Sequence, residues 1–421
     1  KVPDKRAVPL LIEMLEDPSG LDLQVLSDDG KRIHSSYDTP LKYEVRNNAL
    51  RTLQGMTRLS FGELRENPEA NREIVSKWRN WWKEEGDRFQ VVPFQEFSNT
   101  LSDEARYPFP DFARYLKGIT ICLDPGHGGD AHQIGYKRGP SGNRESESNL
   151  RVARYLRDFL VKSGANVLMT RDSDRFVSLD DRTTIANQAN ADLFISVHHN
   201  WAFRYTAQAT TIWYHFTPDY NPASMDLARY VFQEFTRQVP LRELDRAMGL
   251  RADNLIFDIG FAVLRNLSPE IPGILCELAY FSNLETELKM RDCGFLRQEA
   301  YGIFLGLAQY LYAGVPHWKV LQPERPVFET PQPEFVIQLF DGLEERKEWS
   351  WNRLKIFTKH LLVELDGVSV PFTCEESKGI LRFTPPVELK PGEHRLKLWI
   401  MNLHKNHNWP KSYRFTVTSA E

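Results

Sequence analysis

The sequence predicts a multidomain protein: a central α/β domain whose sheet is covered by helices on both faces, preceded by an α-helical domain and followed by a β-sandwich. Three observations predict it. Over residues 118–315, apolar runs of strand length alternate with stretches of helical period, the pattern of a sheet wrapped by helices. Before them, apolar and tryptophan residues recur at helical spacing. After a proline-rich stretch, short β-rich runs repeat to the end of the chain. The boundaries read as an α-helical domain at 1–92, a linker at 93–117, the α/β domain at 118–315, a Pro-rich linker at 316–334 and the sandwich at 335–421.

The elements follow in order. Ala7 to Leu15 carries apolar residues at helical spacing, with Pro9 in the first turn, where a missing N–H is tolerated, and Asp17-Pro18 stops it. Val45 to Leu53 reads as a second amphipathic helix. Asn71 to Glu85 reads as a third, with Ile74, Trp78, Trp81 and Trp82 on one side. The first two resemble one HEAT-type helical repeat, a "P-x-L-I-x-x-L-x-D" helix followed by a "V-R-x-x-A" helix. One such repeat cannot bury its faces alone, so further repeats before Lys1 or packing on the next domain are expected.

In the central region, strands are expected at Ile119–Leu123, Asn166–Thr170, Leu193–Val197, Thr210–Phe216 and Gly273–Cys276. Helices are expected at Asn149–Val161, with Gly164 just beyond as a cap, and at Leu179–Ala189, Ser224–Gln238 and Arg297–Tyr312. Leu241 to Gly260 is irregular and reads as a connecting loop, with a lid as the alternative. In the last region, Asp366-Gly367 between two apolar alternations signals a hairpin turn. The rhythm of runs from Phe335 to Thr418 suggests a sandwich of immunoglobulin or fibronectin type, a fold analogy that says little about function.

Composition excludes several classes. The 421 residues carry 53 Lys+Arg against 57 Asp+Glu, a net charge of −4, so no nucleic-acid partner is indicated. No apolar stretch reaches the roughly 18 residues that span a bilayer, so no transmembrane segment is expected. Four Cys without a C-x-x-C make neither a disulfide scaffold nor a closed structural metal site. The chain begins at Lys1 rather than Met, which predicts processing or truncation, and no signal peptide is visible.

The residues that carry chemistry lie at strand ends of the central region, where open α/β sheets bind ligands. His127 sits in the turn Asp124-Pro125-Gly126-His127-Gly128-Gly129, Glu145 in the loop before the helix at Asn149, His198 after the third strand, and Glu277 after a later one. Two His and one Glu are a known catalytic zinc set that leaves a position for water, and a further carboxylate beside it serves as general base. Each has a plainer reading. His127 alone is an ordinary residue of a Gly-rich turn, His198 alone a strand-edge residue, and Glu145 and Glu147 alone solvated charges favouring a helix start. Glu277 is harder to dismiss, because a carboxylate following an apolar strand needs a partner. Cys122 and Cys276 read as buried small hydrophobes.

Taken together, the runs from Ile119 to about Tyr312 resemble the zinc-dependent N-acetylmuramoyl-L-alanine amidases of the amidase_3 type. The resemblance rests on Asp124–Gly129, on "E-x-x-x-N-L" at Glu145–Leu150, and on "G-A-x-V-x-x-T-R" at Gly164–Arg171. It continues through "S-L-x-x-R-x-x-x-A-N" at Ser178–Asn187, "A-D-L-F-I-S-V-H-x-N" at Ala191–Asn200 and "E-x-x-F-x-S-N" at Glu277–Asn283, where Ala279-Tyr280 replaces the usual Gly-Phe. It implies that His127, Glu145 and His198 bind one Zn2+ per chain and that Glu277 is catalytic. His199 stands where the family usually has a small residue, so it either lines the site or competes as ligand. Glu147 is the alternative to Glu145. His199, Asn200 and Trp201 are candidate substrate contacts, with Phe203 and Tyr205 as further aromatics. Arg171 and Arg182 read as structural.

The implied reaction is hydrolysis of the amide between N-acetylmuramic acid and the stem L-alanine of peptidoglycan by zinc-activated water. That substrate places the enzyme outside the cytoplasmic membrane, in the periplasm, the cell envelope or secreted. The alternatives are a zinc peptidase or amidase acting on another amide, and a non-catalytic wall-binding or scaffold protein on an amidase fold. Peptidoglycan is the expected partner. The helical domain is expected to contact a protein partner. The sandwich, with 14 basic and 13 acidic side chains over 325–421, reads as a spacer or protein contact more than a wall-binding module.

Overall fold

The structure, a computed structural model, describes Lys5, residues 8–16, most of 46–89, 106–131, 137–139, 142–202, 207–239, Leu241, 249–343 and 354–418. In the first region, helix α1 (Val8–Glu16) packs against helix α2 (Arg72–Glu85). Val8, Ile12 and Leu15 meet Leu50, Leu53 and Val75 around Trp78, which is fully buried, while Trp81 and Trp82 lie at its margin. The described residues here form a core of their own, separate from that of the α/β domain.

The central sheet has six strands: β1 (Thr120–Pro125), β2 (Asn166–Met169), β3 (Leu193–Asn200), β4 (Thr211–Tyr214), β5 (Gly249–Ala252) and β6 (Gly273–Tyr280). Their order is β2-β1-β3-β6-β4-β5. The first four in that order run parallel, while β4 runs antiparallel to β6 and β5 parallel to β4. The helices are α3 (Glu145–Lys162), α4 (Leu179–Gln188), α5 (Pro222–Gln238), α6 (Leu284–Met290) and α7 (Cys293–Tyr312). On one face α3, α5 and α7 bury Ile121, Leu123, Ile195, Val197, Ile274 and Cys276. On the other, α4 and a short turn at Ala262–Arg265 cover Cys122, Phe194, Trp213 and Leu275. This alternation of inward side chains is the period of two that continuous apolar strands require when both faces are covered.

Two expected linkers are built into the domains. Within the expected 93–117 linker, Asp111–Leu116 forms a short 3-10 turn, and Tyr107, Ala113 and Leu116 bury in the central core. There the Tyr107 ring meets those of Phe159 and Tyr301, and the Phe109 ring those of Phe159 and Phe304. Residues 317–328, inside the expected 316–334 linker, supply strands β7 (His317–Gln322) and β8 (Val327–Phe328). The prolines flank these strands, where no ladder N–H is lost.

The last region is a sandwich of two sheets, β11-β10-β14-β15-β8 and β12-β13-β9-β7. Its strands are β9 (Phe335–Phe340), β10 (Leu362–Leu365), β11 (Val368–Ser369), β12 (Thr373–Glu375), β13 (Ile380–Phe383), β14 (Gly392–Trp399) and β15 (Tyr413–Val417). Phe335, Ile337 and Leu381 of one sheet share a core with Val363, Leu396 and Phe415 of the other. The hairpin at Asp366-Gly367 forms as expected, with φ of 51° and 79°, the two positive angles of a twist-compatible two-residue turn. The sandwich docks on the end of α7: buried Asn402 donates to the Ala313, Gly314 and Asp341 carbonyls, and Asn406 to those of Tyr310 and Gly314.

Candidate metal centre and catalytic edge

Because β1, β3 and β6 are adjacent and parallel, their carboxyl ends meet at one edge of the sheet. The strands run further than the sequence suggests. His198 lies within β3 and Glu277 within β6, directly opposite each other in register. Helix α3 also starts one turn early, so Glu145 is in its first turn rather than in a preceding loop. His127 caps β1 with φ +58°, in the left-handed region that L-residues seldom occupy. Its neighbour Gly126 leaves room for the His198 ring: a Cβ there would lie 2.1 Å from that ring, which would have to shift.

Three of the expected side chains converge. Glu145 Oε1 lies 3.0 Å from His127 Nε2 and 3.1 Å from His198 Nδ1, and the three groups each offer a ligand atom within 4.8 Å of the others. The rings of His127 and His198 meet edge to face, 4.8 Å between centroids. Glu145 Oε2 is buried with no hydrogen-bond partner, the nearest cation being Lys137 Nζ at 3.8 Å. Two imidazole nitrogens and a carboxylate with a spare buried oxygen fit a zinc ion with an open position. Glu147 pairs instead with Arg144 and Arg151.

The electrostatics separate the two carboxylates. Burial works to raise Glu145, but the charges and hydrogen bonds of His127 and His198 hold it well below the usual carboxylate range. Burial lowers His198 despite its bond to Glu145. Glu277 is pushed up to about 8, by burial first and then by the Glu145 charge, and its Oε2 has no hydrogen-bond partner. Burial also holds the Cys122 thiol up at about 12 and raises that of Cys276, which faces the helices on the opposite side of the pleat from Glu277.

The turn that carries His127 is held from beneath. Arg171, fully buried, donates to the carbonyls of Pro125, Gly126 and Ser146. Arg182 donates to those of Pro125 and His127 and to Asp124 Oδ1 at 2.7 Å. Asp124 also accepts from Thr170 and Ser196. The structural reading of both arginines thus holds.

His199 is a correction. Strand alternation turns it to the face opposite His198, where it is 1% exposed and neither lines the site nor joins the cluster. Its Nδ1 lies 2.7 Å from Asn149 Oδ1 and its Nε2 3.1 Å from Glu299 Oε2. Asn200 is half-buried and its Oδ1 accepts from the Trp201 backbone, while the Trp201 side chain is 46% exposed. Phe203 and Tyr205 lie outside the described residues. Sequence reasoning missed Asn149 and Glu299 as polar partners behind the site. The available signal was a lone acid inside the apolar run of α7. The irregular stretch from Leu241 resolves, over 249–260, into edge strand β5 and a turn capped by Asp253. Because β4 and β5 run against β6, that turn lies at the sheet edge opposite Glu277, and residues 242–248 of the stretch expected as a loop or lid lie outside the described residues.

The parallel sheet edge thus presents two imidazoles and a carboxylate able to hold a metal ion, beside a second carboxylate with an unpartnered oxygen. The Amidase_3 family, described as N-acetylmuramoyl-L-alanine amidase, matches residues 121–309, and the central region is an Amidase_3 domain. The N-acetylmuramoyl-L-alanine amidase AmiC of Escherichia coli O6:H1 is 30% identical over 244 residues, which are 49% of this chain and 56% of AmiC. A probable cell wall amidase, LytH, of Staphylococcus epidermidis is 33% identical over 195 residues, 46% of this chain and 59% of LytH. The chain thus spans somewhat over half the length of these relatives. Among solved structures, an N-acetylmuramoyl-L-alanine amidase from Clostridium difficile 630 is 29% identical, with 46% of this chain and 97% of that one covered and a TM-score of 0.41.

Proposed function

We propose that the protein is a zinc-dependent peptidoglycan hydrolase that cleaves the amide between N-acetylmuramic acid and the L-alanine of the stem peptide. The observation that carries this is the meeting of His127, Glu145 and His198 with Glu277 at one edge of an Amidase_3 domain. His127 Nε2, His198 Nδ1 and Glu145 would hold one zinc. Bound there, it would supply a Lewis acid for the amide carbonyl and a water acidic enough to deprotonate near neutrality. Glu145, kept ionised, supplies the anionic ligand. Glu277, the more basic carboxylate, takes the proton of the attacking water and returns it to the leaving L-alanine amine. Asn200 and Trp201, at the end of β3, contact the substrate. The relatives' names support the substrate, and peptidoglycan lies outside the cytoplasmic membrane, so the enzyme works there. Among the described residues no helix is long and apolar enough to cross a membrane.

The test measures zinc per chain and new L-alanine amino groups released from purified peptidoglycan, for wild type and Glu277→Ala. One zinc in both with release only by wild type is the expected result. Zinc with no release from any wall preparation would redirect the enzyme to another amide. No zinc after supplementation would remove the enzymatic reading.

A further inference from the structure

Behind the candidate metal centre lies a second buried polar system that the reaction above does not use. It crosses the sheet domain from α7 to α3: Glu299, His199 and Asn149, each at most 1% exposed. Asn149 Nδ2 lies 3.3 Å from the Gly126 carbonyl and 3.4 Å from Glu145 Oε1. Both of those oxygens can only accept, so the amide edge facing them must be the donor. Asn149 Oδ1 therefore faces His199 Nδ1, and that nitrogen must carry a proton. At the other side of the ring, Nε2 and Glu299 Oε2 share one further proton across 3.1 Å. From His199 Nδ1 through Asn149 to Glu145 the donors therefore run in one direction, and Glu299 anchors the far side of the His199 ring. Glu299 Oε1 has no partner, so nothing else in the described structure competes for that carboxyl group.

We propose that His199 and Glu299 are positioning residues: through Asn149 they fix the orientation of Glu145 and of the Gly126 carbonyl, and so set the affinity of the His127–Glu145–His198 cluster for its metal. Groups hydrogen-bonded to a metal ligand hold it in one orientation, and losing them typically costs about 10–100-fold in affinity. Neither residue touches substrate or metal. The main-chain N–H of His199, 3.4 Å from Glu145 Oε1, reinforces the same ligand from the strand itself.

The proposal rests on the metal reading of the site but not on wall hydrolysis, so its test reads metal affinity. Zinc affinity of the full chain is measured by competition with a chromogenic chelator for wild type, Glu299→Leu, Glu299→Gln and Asn149→Asp, alongside thermal midpoints. Glu299→Leu leaves His199 Nε2 without a partner, and its affinity should fall about tenfold or more. Glu299→Gln donates an amide N–H to Nε2, keeps the Nδ1 proton aimed at Asn149, and should stay within about threefold of wild type. Asn149→Asp turns a carboxylate toward Glu145 and should fall furthest, about 100-fold. Nitrogen-15 NMR of His199 should show a protonated Nδ1 in both wild type and Glu299→Gln. Equal affinities across the series, a loss in Glu299→Gln as large as in Glu299→Leu, or a fall in midpoint with affinity unchanged would each overturn it. A wild-type chain that binds no zinc would sink the proposed function and this role together, a result none of the other outcomes resembles.

Discussion

Two carboxylates at the same sheet edge, buried Asp124 at the end of β1 and half-buried Glu277 in β6, have opposite surroundings. Asp124 accepts from Arg182, Thr170 and Ser196. Burial works to raise it, but the Arg182 charge and these bonds hold it below the usual range. Glu277 has an oxygen with no hydrogen-bond partner, and burial and the Glu145 charge push it up to about 8. The difference teaches how to read buried acids in this protein. A satisfied acid stabilises the turn that carries His127. An unsatisfied one, beside the metal ligands, holds its proton to higher pH and is the group placed for proton exchange.

The comparison can be broken by mutation. Glu277→Gln should lower peptidoglycan hydrolysis by about 10²–10⁴-fold while leaving urea-unfolding stability unchanged or slightly raised, since it removes a half-buried carboxyl group whose Oε2 lacks a partner. Loss of stability instead would mean that Glu277 is structural. Arg182→Ala should show the converse: about 3–5 kcal/mol of lost stability, because it strands Asp124 without its countercharge. If the loss in equilibrium urea unfolding is under about 1 kcal/mol, the pair does not anchor the turn.

Two smaller effects sharpen the picture. Gly126→Ala should displace the His198 ring and cost about tenfold or more in zinc affinity, measured by chelator competition, with the sandwich unaffected. Unchanged affinity would show that the ring has room to move. Last is the acid limb of stability. Asp124 has a folded pKa below its unfolded value of about 3.9, so the stability it contributes is complete above that value and is lost as pH falls through the folded one. Asp124→Asn should therefore be less stable at neutral pH and show a shallower acid slope below about pH 4. Parallel acid slopes for the two proteins would remove Asp124 from the acid response.

Much of the candidate site was legible because its residues lie in short local motifs. His127 between glycines, Glu145 four residues before Asn149, His198 two before Asn200 and Glu277 after an apolar run are each visible within a few positions. What was illegible depended on distance. The pairing of Glu299 with His199 joins residues 100 positions apart, and from the sequence His199 was equally compatible with the opposite role. The linkers were misjudged for a related reason. Proline content marks a break in regular structure, but Tyr107 and Leu116, or Trp318 and Val320, find buried surface only once the domains exist.

By itself, then, the sequence determined the succession of helices and strands in the α/β domain apart from edge strand β5 and short helix α6, the hairpin at Asp366-Gly367 and the identity of the groups able to bind a metal. Those follow from periodicity, turn chemistry and local spacing, which act over a few residues. Only the tertiary structure decided that His198 and His199 face opposite sides, that the turn at 253–260 lies away from Glu277, and which buried acids are satisfied. Strand length, sheet order and strand direction set those, and each depends on which segments pair across the whole domain.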